Sequence, residues 1–298
     1  MFEMPARDML LAVMIAICWA FNLVVIKLAI QGISPLTFGF LRFLFVAFPL
    51  VFFIKRPNIS LTKLVVIGLI LGVAKFAFLF KGIEQGIGIG VSALTLQTQV
   101  IFTAIISYFA FGYRLSKKEM IGITVSMLGM VVFASKSFAG ASFFGFSLIL
   151  MSAITWGVSN NLCKTLKGVD MLSLTVWMSL VPPIPYFLLS QVWEGSDTFF
   201  NSFQAISFKE LSATSYIAYI ATLFGLTGWT WLMRQHNPSK VSIYGLLIPI
   251  FSLFFGWLFF DERLNFTDML GCVAVFAGLI INQWPTTIVQ SVKLKAVA

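Results

Sequence analysis

Residues 114–129, RLSKKEMIGITVSMLG, return at 263–278 as RLNFTDMLGCVAVFAG, with an Arg-Leu pair and two glycines in the same places. Upstream, Val91-Ser92 recurs as Val241-Ser242, so the offset is 149 or 150 residues throughout. A second echo pairs Trp19 and Lys27 with Trp156 and Lys164. These echoes divide the chain into two repeats, residues 1–140 and 141–298.

The surrounding chain is too apolar for a soluble fold. Of its 298 residues 59% are hydrophobic and 10% charged, and the mean hydropathy is +0.96, whereas soluble domains carry about 25% charged residues. A helix crosses the hydrocarbon core with about 20 apolar residues. Such windows recur near 8–31, 35–54, 63–83, 91–112, 119–136, 143–165, 170–193, 212–233, 240–260 and 265–284. The fold class is therefore an all-α membrane protein of ten transmembrane helices. The first run lacks a basic leader and a small-residue cleavage site, so it is read as helix one.

Five helices per repeat is an odd number, which makes the second half enter the membrane from the opposite side. Inverted repeats of this kind are a recurrent plan of secondary transporters, with the substrate held near the midplane between the halves. The plainer reading is duplication of a packing unit without transport. With the N-terminus in the cytoplasm, thirteen Lys and Arg face inward and four (Lys81, Lys136, Lys209 and Arg263) outward, as the positive-inside rule requires. Both termini are then cytoplasmic. The net charge of +9 reports topology, not nucleic-acid binding.

No catalytic constellation is present. The single histidine, His236, falls in a cytoplasmic loop, and no phosphate cradle, paired carboxylates or cofactor motif appears. Cys18, Cys163 and Cys272 lie in apolar segments at spacings that suit neither zinc nor a disulfide framework. The connection from Glu194 to Glu210 strings Phe199, Phe200, Phe203 and Phe208 between polar residues, as an interfacial helix would. Pro182, Pro183 and Pro185 break helix seven, and Pro49 and Pro249 are expected to kink helices two and nine. Gly- and Phe-rich faces leave room for a homodimer without selecting one.

Chemistry therefore falls to polar residues among the helices. Lys27, Arg42 and Lys75 lie within apolar spans that contain no Asp or Glu beyond Asp8 at the first residue of helix one, and a buried ionisable group costs roughly 2.5–3.5 kcal/mol on insertion scales. The missing partner is read as an anionic or zwitterionic solute. Lys27 either snorkels to the headgroups or faces a cavity, and Arg42 either ties broken helix ends or binds solute. Lys75 is the deepest, and as a group that can release a proton it leaves proton coupling open. Ser92, Thr95, Gln99 and Thr103 fall on one helical face, as either a solute pathway or interhelical hydrogen bonding. Trp156, Asn160 and Lys164 share a face of helix six, and Asn22 lies one turn beyond Trp19. With Trp177, Trp229, Trp231 and Tyr244 these residues line a cavity or belong to interfacial belts.

At these residues the chain resembles the EamA-type drug/metabolite transporter superfamily. Within it, Trp19-Ala20-Phe21-Asn22-Leu23-Val24-Val25-Ile26-Lys27, Leu41-Arg42-Phe43, Phe76-Ala77-Phe78-Leu79-Phe80 and Asp261-Glu262-Arg263-Leu264 are similar to the bacterial O-acetylserine/cysteine exporters. The resemblance implies a multi-pass inner-membrane transporter that moves small metabolites by alternating access, with the lipid bilayer as its surroundings and no cofactor. Two departures stand out: Lys75 occupies a place where such exporters carry glutamine, and the first-half Glu-Arg-Leu has become Tyr113-Arg114-Leu115. The expected cavity residues are Lys75, Gln99, Asn22, Asn160 and Trp156, then Trp19, Thr95, Arg42 and Lys27. Arg114 and Arg263 are expected to close loops.

Overall fold

The computed structural model describes residues 4–112, 116–137, 143–166, 168–236, 241 and 244–283. All regular elements among the described residues are helical. Tyr113, Arg114, Leu115, Ser242, the tail beyond Gln283 and the Lys164 side chain lie outside them, as do Lys167, Lys240 and the side chains of Lys136 and Arg234 from the inside-outside comparison. Among the described residues five helices are long and apolar enough to cross a membrane: Ala6–Ala29, Pro35–Phe52, Leu61–Glu84, Ile89–Phe111 and Phe143–Cys163. Met171–Met178 and Pro183–Trp193, bent by 44° to each other, are long and apolar enough only when taken together. Shorter apolar helices cover Leu247–Phe260 and Met269–Ile281.

Local chemistry sets these boundaries. Ser34 caps the helix that starts at Pro35, its Oγ accepting from the Thr37 N–H, and Asp170 caps Met171–Met178 through the Ser173 N–H. Gly112 ends one helix at φ +65° and Asp261 another at φ +50°, both left-handed caps. The break at Pro182 and Pro183 falls where the sequence places it. Pro49 interrupts the Pro35–Phe52 span, which is α-helical to Ala47 and resumes as a 3-10 turn at Leu50. Pro249 does otherwise: it sits in the first turn of Leu247–Phe260, where a missing N–H removes no helical bond. The aromatic connection contains the helix Ser196–Gln204, with Phe199 buried against Phe40 and Phe187, and Phe200 and Phe203 exposed.

The helix Lys117–Ser137 packs along Phe266–Gln283 through glycines. A Cβ on Gly129 would meet the Val275 N at 2.8 Å and the Gly271 O at 2.9 Å; one on Gly278 would meet the Gly122 O and the Ser126 N, each at 2.5 Å. Each atom in the first contact has its counterpart, 149 positions away, in the second. One contact is thus made twice with the halves exchanged, as a twofold axis between the two helices would make it.

Two π segments, Gly68–Ala74 and Tyr216–Phe224, interrupt helices at corresponding places. A π segment frees backbone groups from the regular ladder, and side-chain donors meet carbonyls at both. Tyr186 Oη donates to the Gly72 and Val73 carbonyls at 3.0 and 3.2 Å, and Trp19 Nε1 donates to the Ala221 carbonyl at 2.7 Å.

Candidate solute site

Lys75 follows the first π segment directly, and its backbone carbonyl accepts a bond from Ser152 Oγ at 2.7 Å. Its Nζ lies 3.7 Å from the Trp156 ring centre and 4.2 Å from that of Phe76. Arg42 approaches the same Phe76 ring, with Cζ at 3.8 Å, and donates from Nη2 to Thr222 Oγ1 at 3.2 Å. Lys75 is 8% exposed and Arg42 5%. Neither has a carboxylate partner among the described residues, and Arg42 Nε and Nη1 have no hydrogen-bond partner there.

Ring contacts leave this cluster electrostatically incomplete. A cation over an aromatic face gains about 0.5–2 kcal/mol, whereas removing an ion from water costs several. Two like charges at most about 8 Å apart repel by at least about 2 kcal/mol at an effective dielectric of about 20. An anion between Arg42 and Lys75 reverses the sign of that term. Both cations also touch the other half of the chain, Arg42 through Thr222 and Lys75 through Trp156, by contacts that carry no opposing charge.

A polar network continues from Trp156 along its helix. Asn160 Nδ2 donates to Gln99 Oε1 at 2.6 Å and to Thr103 Oγ1 at 3.1 Å, so Gln99, Thr103 and Asn160 are brought together. Along the Ile89–Phe111 span Thr98 separates Ile89–Gln97 from Gln99–Phe111 and turns its hydroxyl onto the Thr95 carbonyl at 2.6 Å. Ser92 and Thr95 are fully buried on the first piece, and their hydroxyls lack partners among the described residues. Asn22 Oδ1 is likewise buried without a partner. Trp19 packs on Trp229 at 5.3 Å, and Trp177 donates to the Ile54 carbonyl at 2.8 Å.

Lys27 is not the unanswered cation that the sequence suggests. Its Nζ lies 2.7 Å from Glu262 Oε1 and 4.2 Å from the Phe260 ring centre. Glu262 falls just beyond an apolar span, but the left-handed turn at Asp261 reverses the chain, and its N–H bonds the Gly256 carbonyl at 3.1 Å. The carboxylate thereby points back at the bundle and accepts from the Ile89 N–H at 2.9 Å and the Gly90 N–H at 3.4 Å. Loop closure at this end thus rests on Glu262; Arg263 is exposed and, among the described residues, pairs only with Asp261. His236, read as a loop residue, stands 2.8 Å from Asp8 at the start of the first helix. The open grooves, about 320 Å³ beside Trp257 and Glu262 and about 300 Å³ beside Arg7 and Trp231, both lie away from Lys75 and Arg42.

Comparison with known proteins matches the EamA-like transporter family model twice, over residues 7–135 and 143–283. A probable amino-acid metabolite efflux pump of Escherichia coli is 35% identical, over 94% of this chain and 95% of its own length. An uncharacterized inner membrane transporter of the same species, YedA, is 23% identical over 89% of this chain and 87% of its own. A solved crystal structure shares the fold with a TM-score of 0.59 at 15% identity, covering 93% of this chain and 97% of that one. With the family matched across both halves and its helices apolar enough to span, the chain is a multi-pass protein of the cytoplasmic membrane and belongs to the EamA-like transporter family.

Proposed function

We propose that the protein exports small zwitterionic or anionic metabolites, foremost amino acids such as cysteine or O-acetylserine, by alternating access. Ten spans form two inverted repeats, residues 1–140 and 141–298, with both termini in the cytoplasm. The reciprocal Gly129 and Gly278 contacts and the paired π segments support two halves that can rock about a shared axis. The observation that carries the substrate class is the pair of buried cations on Phe76 without a carboxylate among the described residues. It opposes cationic drugs, whose charge calls for a buried acid. The Trp156 and Phe76 rings beside the cations favour a second reading, larger amino acids or other organic anions.

Counterflow of labelled cysteine into proteoliposomes, challenged with unlabelled zwitterions, anions and quaternary cations, tests this. Competition by amino acids or organic anions is expected. Competition by quaternary cations overturns the charge argument, and absence of flux for every solute points to a non-transporting scaffold or sensor.

A further inference from the structure

We propose a division of labour between the two cations: Arg42 holds the α-carboxylate of the substrate, and Lys75 reads a hydrogen-bond acceptor on its side chain. The site then selects amino acids whose side chains carry an ester, amide or carboxylate over aliphatic ones of similar size. This rests on the transport reading above and adds which group meets which residue.

Arg42 is the better carboxylate anchor. Its Nη2 is engaged by Thr222 at 3.2 Å, and its Nε and Nη1 are buried with no acceptor among the described residues. A structural tie would have filled those positions with carbonyls. A carboxylate can take two guanidinium N–H groups at once, which a single hydroxyl cannot.

Lys75 offers a compact donor instead of a planar fork, and it donates whether or not it carries its proton. Its Nζ faces the Trp156 and Phe76 rings, and no oxygen or carboxylate partner meets it among the described residues. Because Arg42 and Lys75 both sit on Phe76, at 3.8 and 4.2 Å from its centre, they are no further apart than those two distances together. That is the reach of a small amino acid from its carboxylate to the end of a short side chain. The counterpart of Lys75 in the second half is Gly225, which packs on Trp19 as Lys75 packs on Trp156. The second donor therefore exists on one side only, as a selectivity element does and a symmetric scaffold does not. For the ammonium group, Asn22 Oδ1 is a buried acceptor one turn from Trp19, whose indole binds Ala221 beside Thr222.

The experiment is competition against labelled cysteine counterflow by purified full-length protein in proteoliposomes. O-acetylserine, glutamine and glutamate are compared with norvaline and leucine on wild type, K75M, K75R and R42Q, each first checked for a monodisperse, cooperatively melting state in detergent. In wild type the acceptor-bearing acids should compete at about tenfold lower concentration, the worth of one good hydrogen bond. K75M should bring that ratio toward one, K75R should preserve it, and R42Q should weaken every acid by a similar factor. Equal competition by norvaline and O-acetylserine in wild type, or an unchanged ratio in K75M, overturns the division of labour and leaves the transport reading standing. No flux of any amino acid in wild type overturns both.

Discussion

Lys75 and Gly225 occupy corresponding positions, each directly after a π segment and each against a tryptophan of the other half: Lys75 Nζ 3.7 Å from the Trp156 ring, and Gly225 with Trp19 Nε1 only 2.5 Å from where a Cβ would stand. The two positions share a tryptophan contact after a π segment, and the residue difference makes only one of them polar. The closeness at Gly225 keeps Trp19 on the Ala221 carbonyl.

Replacing Gly225 with Ala should therefore push the Trp19 indole off Ala221. The expected cost is about 1–3 kcal/mol, as for overpacking elsewhere, seen as a lower melting temperature in detergent with altered Trp19 fluorescence. An unchanged melting temperature and spectrum would show that the ring is free to move.

At one end of the bundle, Glu262 joins three segments: Lys27 of the first helix, the N–H groups of Ile89 and Gly90, and its own turn after Phe260. E262A frees all of these donors and K27A only one partner. We expect E262A to destabilise by about 1–3 kcal/mol and K27A by less, with the double variant close to E262A alone. Additive losses would contradict a shared carboxylate.

Tyr186 is fully buried, and its hydroxyl serves the Gly72 and Val73 carbonyls, three and two residues before Lys75. Y186F leaves those carbonyls short of a donor at a cost of about 1–3 kcal/mol. Because the backbone that carries Lys75 would shift, the Michaelis constant for amino-acid flux should rise together with the loss of stability. Loss of stability with an unaltered Michaelis constant would separate the π segment from the site.

Glu210 lies in the connection ahead of the span read at 212–233. Burial opposes its charge, but hydrogen bonds from Ser207 and backbone N–H groups, together with Lys209, hold its carboxyl below the ordinary carboxylate value. A lowered acid contributes stability above its unfolded-state value and loses it as pH falls through the folded-state value. Stability of wild type should exceed that of E210Q at neutral pH, and the difference should shrink in acid below the normal glutamate range. S207A should move that loss to higher pH. A difference independent of pH would contradict this account.

The apolar windows that the five long helices and the bent pair fill, the proline break in the last of these and the buried cations were legible because each depends on composition or on one residue type. The partner of Lys27 was not, since Glu262 lies outside any apolar window and reaches Lys27 only through the left-handed turn at Asp261. A span-by-span search for carboxylates passes over such a residue; the Asp261-Glu262-Arg263-Leu264 motif was the available signal. Helical spacing placed Ser92, Thr95, Gln99 and Thr103 on one face, but it gave no sign that Thr98 interrupts the helix by bonding Thr95. The π segments carry no period of their own in sequence, so the adjacency of Arg42, Phe76 and Lys75, set partly by the Gly68–Ala74 segment, emerges only in three dimensions.

The central claim is that the buried cations await an anionic group on the solute. It is tested most directly by comparing cysteine with cysteamine, which lacks only the carboxylate, as competitors in counterflow of labelled cysteine. The account predicts that cysteine competes and cysteamine does not, and that R42Q narrows the gap. Equal competition by cysteamine in the wild-type protein would contradict it.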